Sequence, residues 1–229
     1  MATVATGLAA PIVVKPEQAL KQAFPTIPFD TVTPTEIPGL YEVIAGTAIF
    51  YYYPEKDLII VGEMVNKELK NLTAERKGEI MAKQAKSLPL EKAVKVGSGK
   101  HVIIEFTDPD CPYCKRAAEF LRTRTDVTRY VFFTPLAHPQ AITKIHYILN
   151  AADKAKAYED MMQGKAPEAP AAGYSEAVKA LAQEHMALAK KMGVSGTPTF
   201  YIEGNQVVGA DTKRMEQLLQ EPAATPAKK

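Results

Sequence analysis

Two cysteines, Cys111 and Cys114, are the only ones in this chain of 229 residues, and they stand three apart in a Cys-Pro-Tyr-Cys run. A thiol pair at that spacing can cycle between dithiol and disulfide. One sulfur attacks a disulfide in another molecule, and the second attacks the resulting mixed disulfide and closes the pair. Zinc binding is a weaker reading. It usually takes four ligands, whereas no second Cys-x-x-Cys or paired His-x-x-x-His is present, and His101, His138, His146 and His185 are scattered. A structural disulfide between residues three apart closes too short a loop to restrict an unfolded chain much, so stability is a poor reason for the motif. Redox chemistry is the preferred reading.

The flanking residues show how such a pair is held. His101 to Thr107 reads as a buried strand through Val102, Ile103, Ile104 and Phe106, and apolar residues from Lys115 to Arg124 recur at helical spacing. The cysteines therefore fall where a strand hands over to a helix. The first helical turn offers unpaired N–H groups and the positive end of the dipole, a place that favours a thiolate over a thiol. Cys111, at the exposed end, is the expected nucleophile; Cys114, about one turn further in, is the expected resolving cysteine. Pro112 suits the first helical position, where its missing N–H costs nothing. Lys115 and Arg116 favour an anion while Asp108 and Asp110 oppose it, and if exposed the four are screened and roughly cancel. Strand alternation puts Glu105 on the face of Ile103, hence inside. As a buried carboxylate it would exchange a proton with Cys114 during resolution; a solvated strand glutamate is the alternative.

Composition narrows the partners. With 28 basic and 26 acidic residues the net charge is +2, so neither nucleic acid nor an anionic membrane is implied. A hydrophobic content of 46% is ordinary for a globular chain, and no apolar run reaches the length of a membrane span. The first 14 residues lack the basic start and long apolar centre of a signal peptide. The expectation is an export signal already removed, with Met1 added. One Cys-x-x-Cys pair fits either cytosol or periplasm.

Taken in order, Pro16 to Phe24 reads as a short amphipathic helix, followed by chain-breaking prolines at 25, 28, 34 and 38. An antiparallel meander is expected at about 40–44, 47–53 and 58–65, with 67–72 as a possible fourth piece, and with Tyr52 facing opposite to Tyr51 and Tyr53. This β-rich domain, residues 1–72, would have a marginal core alone, which points to pairing with a copy of itself. Thr73 is the expected cap of a largely polar helix within 73–88, read as a solvent-exposed linker, with an ordinary surface helix as the alternative. Residues 89–221 form a second domain: strand 101–107, helix 112–125, strand 129–134, helices within 139–163 and at 175–191, a hairpin turning at Gly204-Asn205, and a last helix capped by Asp211. A proline-rich loop, 164–173, joins two of the helices, and the tail 222–229 is disordered by composition. His101 reads as a surface or capping group, and spacing ties none of the other histidines to the thiols.

The order of strand, Cys-Pro-Tyr-Cys helix, strand, helices, Thr-Pro step, hairpin and helix resembles the thioredoxin fold. The segment GVSGTPTF, Gly193 to Phe200, resembles that family's loop with a cis proline after threonine. Pro198 is then the expected cis residue, turning the Thr197 main chain toward Cys111 to pair with an extended substrate. Over its whole length the chain is similar to periplasmic disulfide isomerases of the DsbC and DsbG type, most specifically in FTDPDCPYC and GVSGTP. The resemblance implies an α+β N-terminal dimerisation domain, a linker helix, and an α/β thioredoxin-fold catalytic domain with a helical insertion at about 138–190. It implies a periplasmic homodimer that isomerises or reduces wrong disulfides in misfolded exported proteins, without a cofactor or metal, and is kept reduced by a membrane reductase of the DsbD type. Pro112, Tyr113, Thr197 and Pro198 are then substrate-binding and Cys111, Cys114 and Glu105 catalytic. Glu105, six residues before Cys111, stands where thioredoxins carry a buried acid and DsbC-like isomerases usually an apolar residue. Reduction of protein sulfenic acids, as in DsbG-like proteins, and a dimeric chaperone function are the alternatives.

Overall fold

The computed structural model describes residues 15–168 and 173–220. The expected disordered tail, 222–229, lies outside the described residues. The chain divides into two compact units, Met1–Lys77 and Gly78–Lys229.

In the first unit, helix α1 (Pro16–Ala23) starts with proline in its first turn and buries Leu20. Four antiparallel strands follow in sequential order: β1 (Thr31–Pro34), β2 (Tyr41–Ala45), β3 (Ala48–Tyr53) and β4 (Leu58–Ile60). Strand β1 was not expected, because Pro34 was read as a breaker. Pro34 ends an edge strand, where a missing N–H breaks little of the ladder. Strand β4 stops at Ile60, short of the expected 65, and 67–72 contributes only an isolated bridge between Val65 and Asn71. Alternation along β3 holds, yet Tyr51 and Tyr52 are both buried because both faces of this sheet are covered. Tyr52 packs with Leu20, Val32 and Val43 and meets Phe24 edge-on at 6.2 Å. Tyr51 turns the other way, its hydroxyl hydrogen-bonded to that of Thr73.

Helix α2 (Leu72–Ala85) is capped by Asn71, whose Oδ1 accepts the Ala74 N–H at 2.9 Å; Thr73 instead binds Tyr51 and accepts the Met64 N–H. The expected solvent-exposed linker needs correcting. The unit boundary falls inside α2, and Met81, Ala82, Ala85 and Leu88 are buried with Ile104, Phe106 and Phe132 of the second unit. These four residues form a stripe at helical spacing, which makes the second half of α2 a core element.

The second unit is a five-stranded sheet in the order β5-β7-β6-β8-β9, comprising β5 (Val94–Gly97), β6 (His101–Thr107), β7 (Val127–Phe133), β8 (Thr199–Ile202) and β9 (Asn205–Val208). Strands β6 and β7 are parallel and flank α3 (Pro112–Arg122) in the chain; the other pairs are antiparallel. Between β7 and β8 come α4 (Ile142–Asn150), α5 (Lys154–Met162) and α6 (Glu176–Lys191). The hairpin turns one residue earlier than expected, at Glu203 and Gly204, both with positive φ, which the glycine adopts freely. Asp211 caps α7 (Thr212–Gln220), its Oδ1 accepting the Arg214 N–H at 3.0 Å. One face of the sheet, with Ile103, Phe200 and Ile202, is covered by α3 and α7; the other, with Ile104, Phe106 and Phe132, by α6 and the end of α2.

Candidate active site

The two cysteines lie at the C-terminal end of central strand β6. Cys111 is the N-cap of α3, in extended conformation, and Pro112 is the first helical residue. A tight turn from Asp108, closed by the Cys111 N–H on the Asp108 carbonyl at 3.1 Å, brings the chain from strand to helix. Both cysteines are free thiols. Cys111 is 6% exposed and Cys114 wholly buried, so the expected difference in depth is present, although Cys111 itself shows only one edge to solvent. Cys111 Sγ lies 3.5 Å from the Thr197 carbonyl oxygen, and the Thr197–Pro198 peptide is cis. Pro112 and Tyr113 are exposed and Pro198 is buried. Arg116 reaches from α3 to the Ala210 carbonyl at 3.2 Å and lies 5.5 Å from the centre of the Tyr113 ring.

Burial pushes the Cys114 thiol well above the ordinary cysteine range, and the Asp108 N–H, 3.4 Å from its Sγ, works against that shift. The flanking acids do not simply cancel Lys115 and Arg116 as exposed charges. Asp108 is fully buried, with Oδ2 2.8 Å from Nδ1 of His138 and Oδ1 accepting the Asp110 N–H at 2.9 Å. Asp110 is ion-paired with Lys144 of α4. His138, which spacing did not tie to the thiols, is therefore bound to the residue that touches Cys114.

Glu105 is buried, as alternation required, but its role as a neutral proton shuttle needs correcting. Its Oε2 accepts from Nε and Nη2 of Arg129 at 3.1 and 2.9 Å, and its Oε1 accepts the Tyr158 hydroxyl at 2.9 Å. Arg129 also donates to Tyr158 at 2.6 Å and to Glu159 at 3.0 Å. Burial disfavours a charged Arg129, yet Glu105, Tyr158 and Glu159 more than offset that and hold the guanidinium ionised. Glu105 is thus the counterion of a buried arginine. Its partners were readable in part: within VTRYVFF, alternation with Val127, Val131 and Phe133 turns Arg129 inward, where a charge needs a partner.

His101 is buried at the opposite end of β6, with Nδ1 3.2 Å from Glu203 and Nε2 4.0 Å from Asp126, not at the surface as expected. Among the described residues no three His, Cys, Asp or Glu side chains gather as metal ligands do, and no helix is long and apolar enough to cross a membrane.

Residues 88–221 match the thioredoxin-like domain. This chain belongs to the thioredoxin-like family. Residues 7–74 match the disulfide bond isomerase protein N-terminal domain, so the thioredoxin-like domain is preceded by a DsbC-type N-terminal domain, the arrangement expected from FTDPDCPYC and GVSGTP. A probable thiol:disulfide interchange protein DsbC from Bordetella avium is 35% identical over 186 residues, covering 80% of this chain and 65% of that protein. The chain thus spans somewhat less than two thirds of that relative. DsbC from Escherichia coli K12 is 29% identical over 83% of this chain and 80% of its own length. Among solved structures, the thiol-disulfide exchange protein alpha-DsbA2 from Wolbachia pipientis superposes with a TM-score of 0.53 at 15% identity, over 66% of this chain and 98% of that one, a likeness of fold.

Proposed function

We propose that this thioredoxin-like protein is a thiol:disulfide oxidoreductase that reduces and isomerises non-native disulfides in exported proteins through Cys111 and Cys114. The observation that carries the reading is the placement of Cys111 Sγ at the N-terminus of α3 and 3.5 Å from the Thr197 carbonyl, with buried Cys114 one turn behind. An extended substrate strand pairing with the Thr197 main chain would bring its disulfide to Cys111, while exposed Tyr113 offers an apolar face beside it. Cys111 thiolate attacks one substrate sulfur, expelling the other as a thiolate. If that freed thiolate attacks a different substrate disulfide, and the thiolate so expelled attacks the substrate sulfur held by Cys111, Cys111 leaves as a thiolate and the substrate has been isomerised; if Cys114 attacks Cys111, the substrate leaves reduced and Cys111–Cys114 is oxidised. Returning the pair to the dithiol needs an external reductant, and a membrane reductase of the DsbD type is the partner assigned to that step.

Such substrates belong to an oxidising compartment, here the periplasm. The working form proposed is a homodimer through the first unit. Its edge strand β4 and the segment after it expose Leu58, Ile60, Val61, Val65 and Leu69 beside a small core built, among the described residues, on Leu20, Val32, Val43 and Tyr52, a surface that a second copy would cover. The test is refolding of a scrambled multi-disulfide protein. The reduced chain restores native pairing catalytically and Cys111→Ala does not. Equal recovery with the two proteins rules the reading out and leaves chaperone-like holding of unfolded chains.

A further inference from the structure

Helix α3 carries more than the thiol pair. Lys115, Ala118, Glu119 and Arg122 recur at helical spacing, so they share a face, and that face meets the end of α5 across a groove of about 430 Å³. Arg116 lines the groove as well, and Lys165, just past α5, stands on the opposite wall. The buried side chains of Ala118 and Met162 give it an apolar floor. Four cations thus line the groove against two carboxylates, Glu119 and Glu159. Glu159 shares the buried Arg129 with Glu105, so counting that pair as well leaves two positive charges in excess. Lys115 and Arg122 are in no ion pair among the described residues. Arg116 donates to the Ala210 carbonyl and Lys165 to the Gln163 amide at 2.8 Å, neutral partners that leave both charges in place. The acids nearest the thiols do not reverse the sign, since Asp108 is bound to His138 and Asp110 to Lys144.

We propose that this groove docks an acidic stretch of the disulfide-bearing polypeptide, so that the protein favours substrate disulfides flanked by Asp and Glu. The proposal deepens the dithiol function above and rests on it for its effect on catalysis. Lys115 to Arg122 spans about 10 Å at about 1.5 Å per residue, a length that about three or four residues of extended chain cover. Lys115 lies about one helical turn from Cys111, so an acidic run starting within about three residues of the substrate cysteine reaches the groove. Its carboxylates meet ammonium and guanidinium groups along the rim, the arginines being able to bind them in pairs of hydrogen bonds, while an apolar side chain between them covers Ala118 and Met162. The rim cations are exposed, so the attraction is screened by salt and acts on capture of the substrate. It leaves the exchange at Cys111 and Cys114 as described above.

Reduction of three fluorescent peptide disulfides by the full-length chain reads the preference, the peptides differing only in a run of Glu, Gln or Lys on each side of the cysteine. At low salt kcat/KM is expected to fall in the order Glu, Gln, Lys, with about three- to tenfold between Glu and Gln carried by KM, and the order fades at about 0.5 M salt. Arg122→Glu with Lys165→Glu abolishes or reverses the order. Lys190→Glu with Lys191→Glu, an equal change of net charge on exposed residues outside the groove, keeps it. Equal kcat/KM for the Glu and Gln peptides in the wild type, or the same loss of preference in the two double variants, overturns the proposal. Fluorescence anisotropy of the Glu peptide, with serine in place of its cysteine, on the Cys111→Ala/Cys114→Ala chain tests docking without catalysis. Salt-sensitive binding that Arg122→Glu with Lys165→Glu weakens supports the groove, and its absence overturns the groove even where the wild type reduces all three peptides. A wild type that reduces none of them while that binding persists sinks the dithiol function and leaves the docking site standing.

Discussion

At the scale of single residues, the active site of this thioredoxin-like protein combines two thiols that are legible in the sequence with a buried charge network that is only half legible. Cys-x-x-Cys before a helical pattern points to Cys111 as the proposed nucleophile by position alone, whereas Glu105 reads as a lone buried acid until Arg129 and Tyr158, 24 and 53 residues away, are brought to it by the fold. Pairing changes what the residue does. Glu105→Gln leaves a buried arginine without its main counterion and is expected to destabilise the protein by about 3 kcal/mol in urea unfolding, while leaving the rate of mixed-disulfide release intact. Replacing both partners, as Glu105→Met with Arg129→Met, removes the uncompensated charge and should recover most of that loss. A slower release in Glu105→Gln with unchanged stability would return Glu105 to a proton-transfer role. Among the thiols, iodoacetamide should label Cys111 first in the native reduced protein, as mapped by peptide mass, because Cys114 is wholly buried. Preferential labelling of Cys114 would reverse the two roles.

At the scale of elements, the strand and helix around the cysteines, the parallel β6–β7 pair and the Asp211-capped last helix all follow from periodicity and caps, because each is decided by its own residues. Elements decided by distant partners are the ones that differ. Strand β5 pairs antiparallel with β7 as an edge, and its short run Val94–Gly97 carries too little pattern to stand out. His185 shows the same dependence. It rides α6 and gave no signal, yet it is fully buried, with Nδ1 accepting the Phe133 N–H at 3.2 Å and Nε2 2.9 Å from the Lys92 carbonyl. It thereby fastens α6 to the end of β7. Burial lowers its pKa to about 4, from 6.5, so the folded state holds it neutral. For a base with a depressed folded pKa, the stabilisation is complete above the unfolded value and is lost as pH falls from about 6.5 toward about 4. The loss over that window is about 3 kcal/mol at about 1.4 kcal/mol per unit. Urea unfolding at pH 7 and pH 4.5 should show this acid loss in the wild type and a shallower one in His185→Gln. Identical pH dependence in the two proteins would place the acid-sensitive group elsewhere.

At the scale of the whole molecule, the boundary between the units bears on how the protein can be cut. Sequence patterning put the catalytic domain at 89–221, since the helix before it is polar enough to look like a spacer. Its second half nonetheless supplies Met81, Ala82 and Ala85, with Leu88, to the core around Ile104, Phe106 and Phe132. Polar residues on the outer face masked a narrow apolar stripe whose partners lie on a strand not yet formed in the linear reading. A fragment beginning at residue 89 therefore uncovers one face of the sheet, and large apolar losses of this kind cost about 2 to 5 kcal/mol for each bulky side chain removed from a core. A fragment beginning at 72 retains the whole of α2 and keeps that face covered. The expected outcome is that the fragment from 72 unfolds cooperatively, sediments as a monomer and still reduces a small disulfide substrate, whereas the fragment from 89 is markedly less stable in the same urea titration. In the full-length chain, Ile60→Lys at the end of the exposed edge strand should shift sedimentation from the proposed dimer toward monomer, because a charge on an exposed apolar edge opposes pairing with a second copy. Its catalysis of simple disulfide reduction should be retained while refolding of a scrambled protein weakens. A fragment from 72 that remains dimeric would move the proposed interface out of the first unit, and a fragment from 89 as stable as the one from 72 would return α2 to the role of a linker.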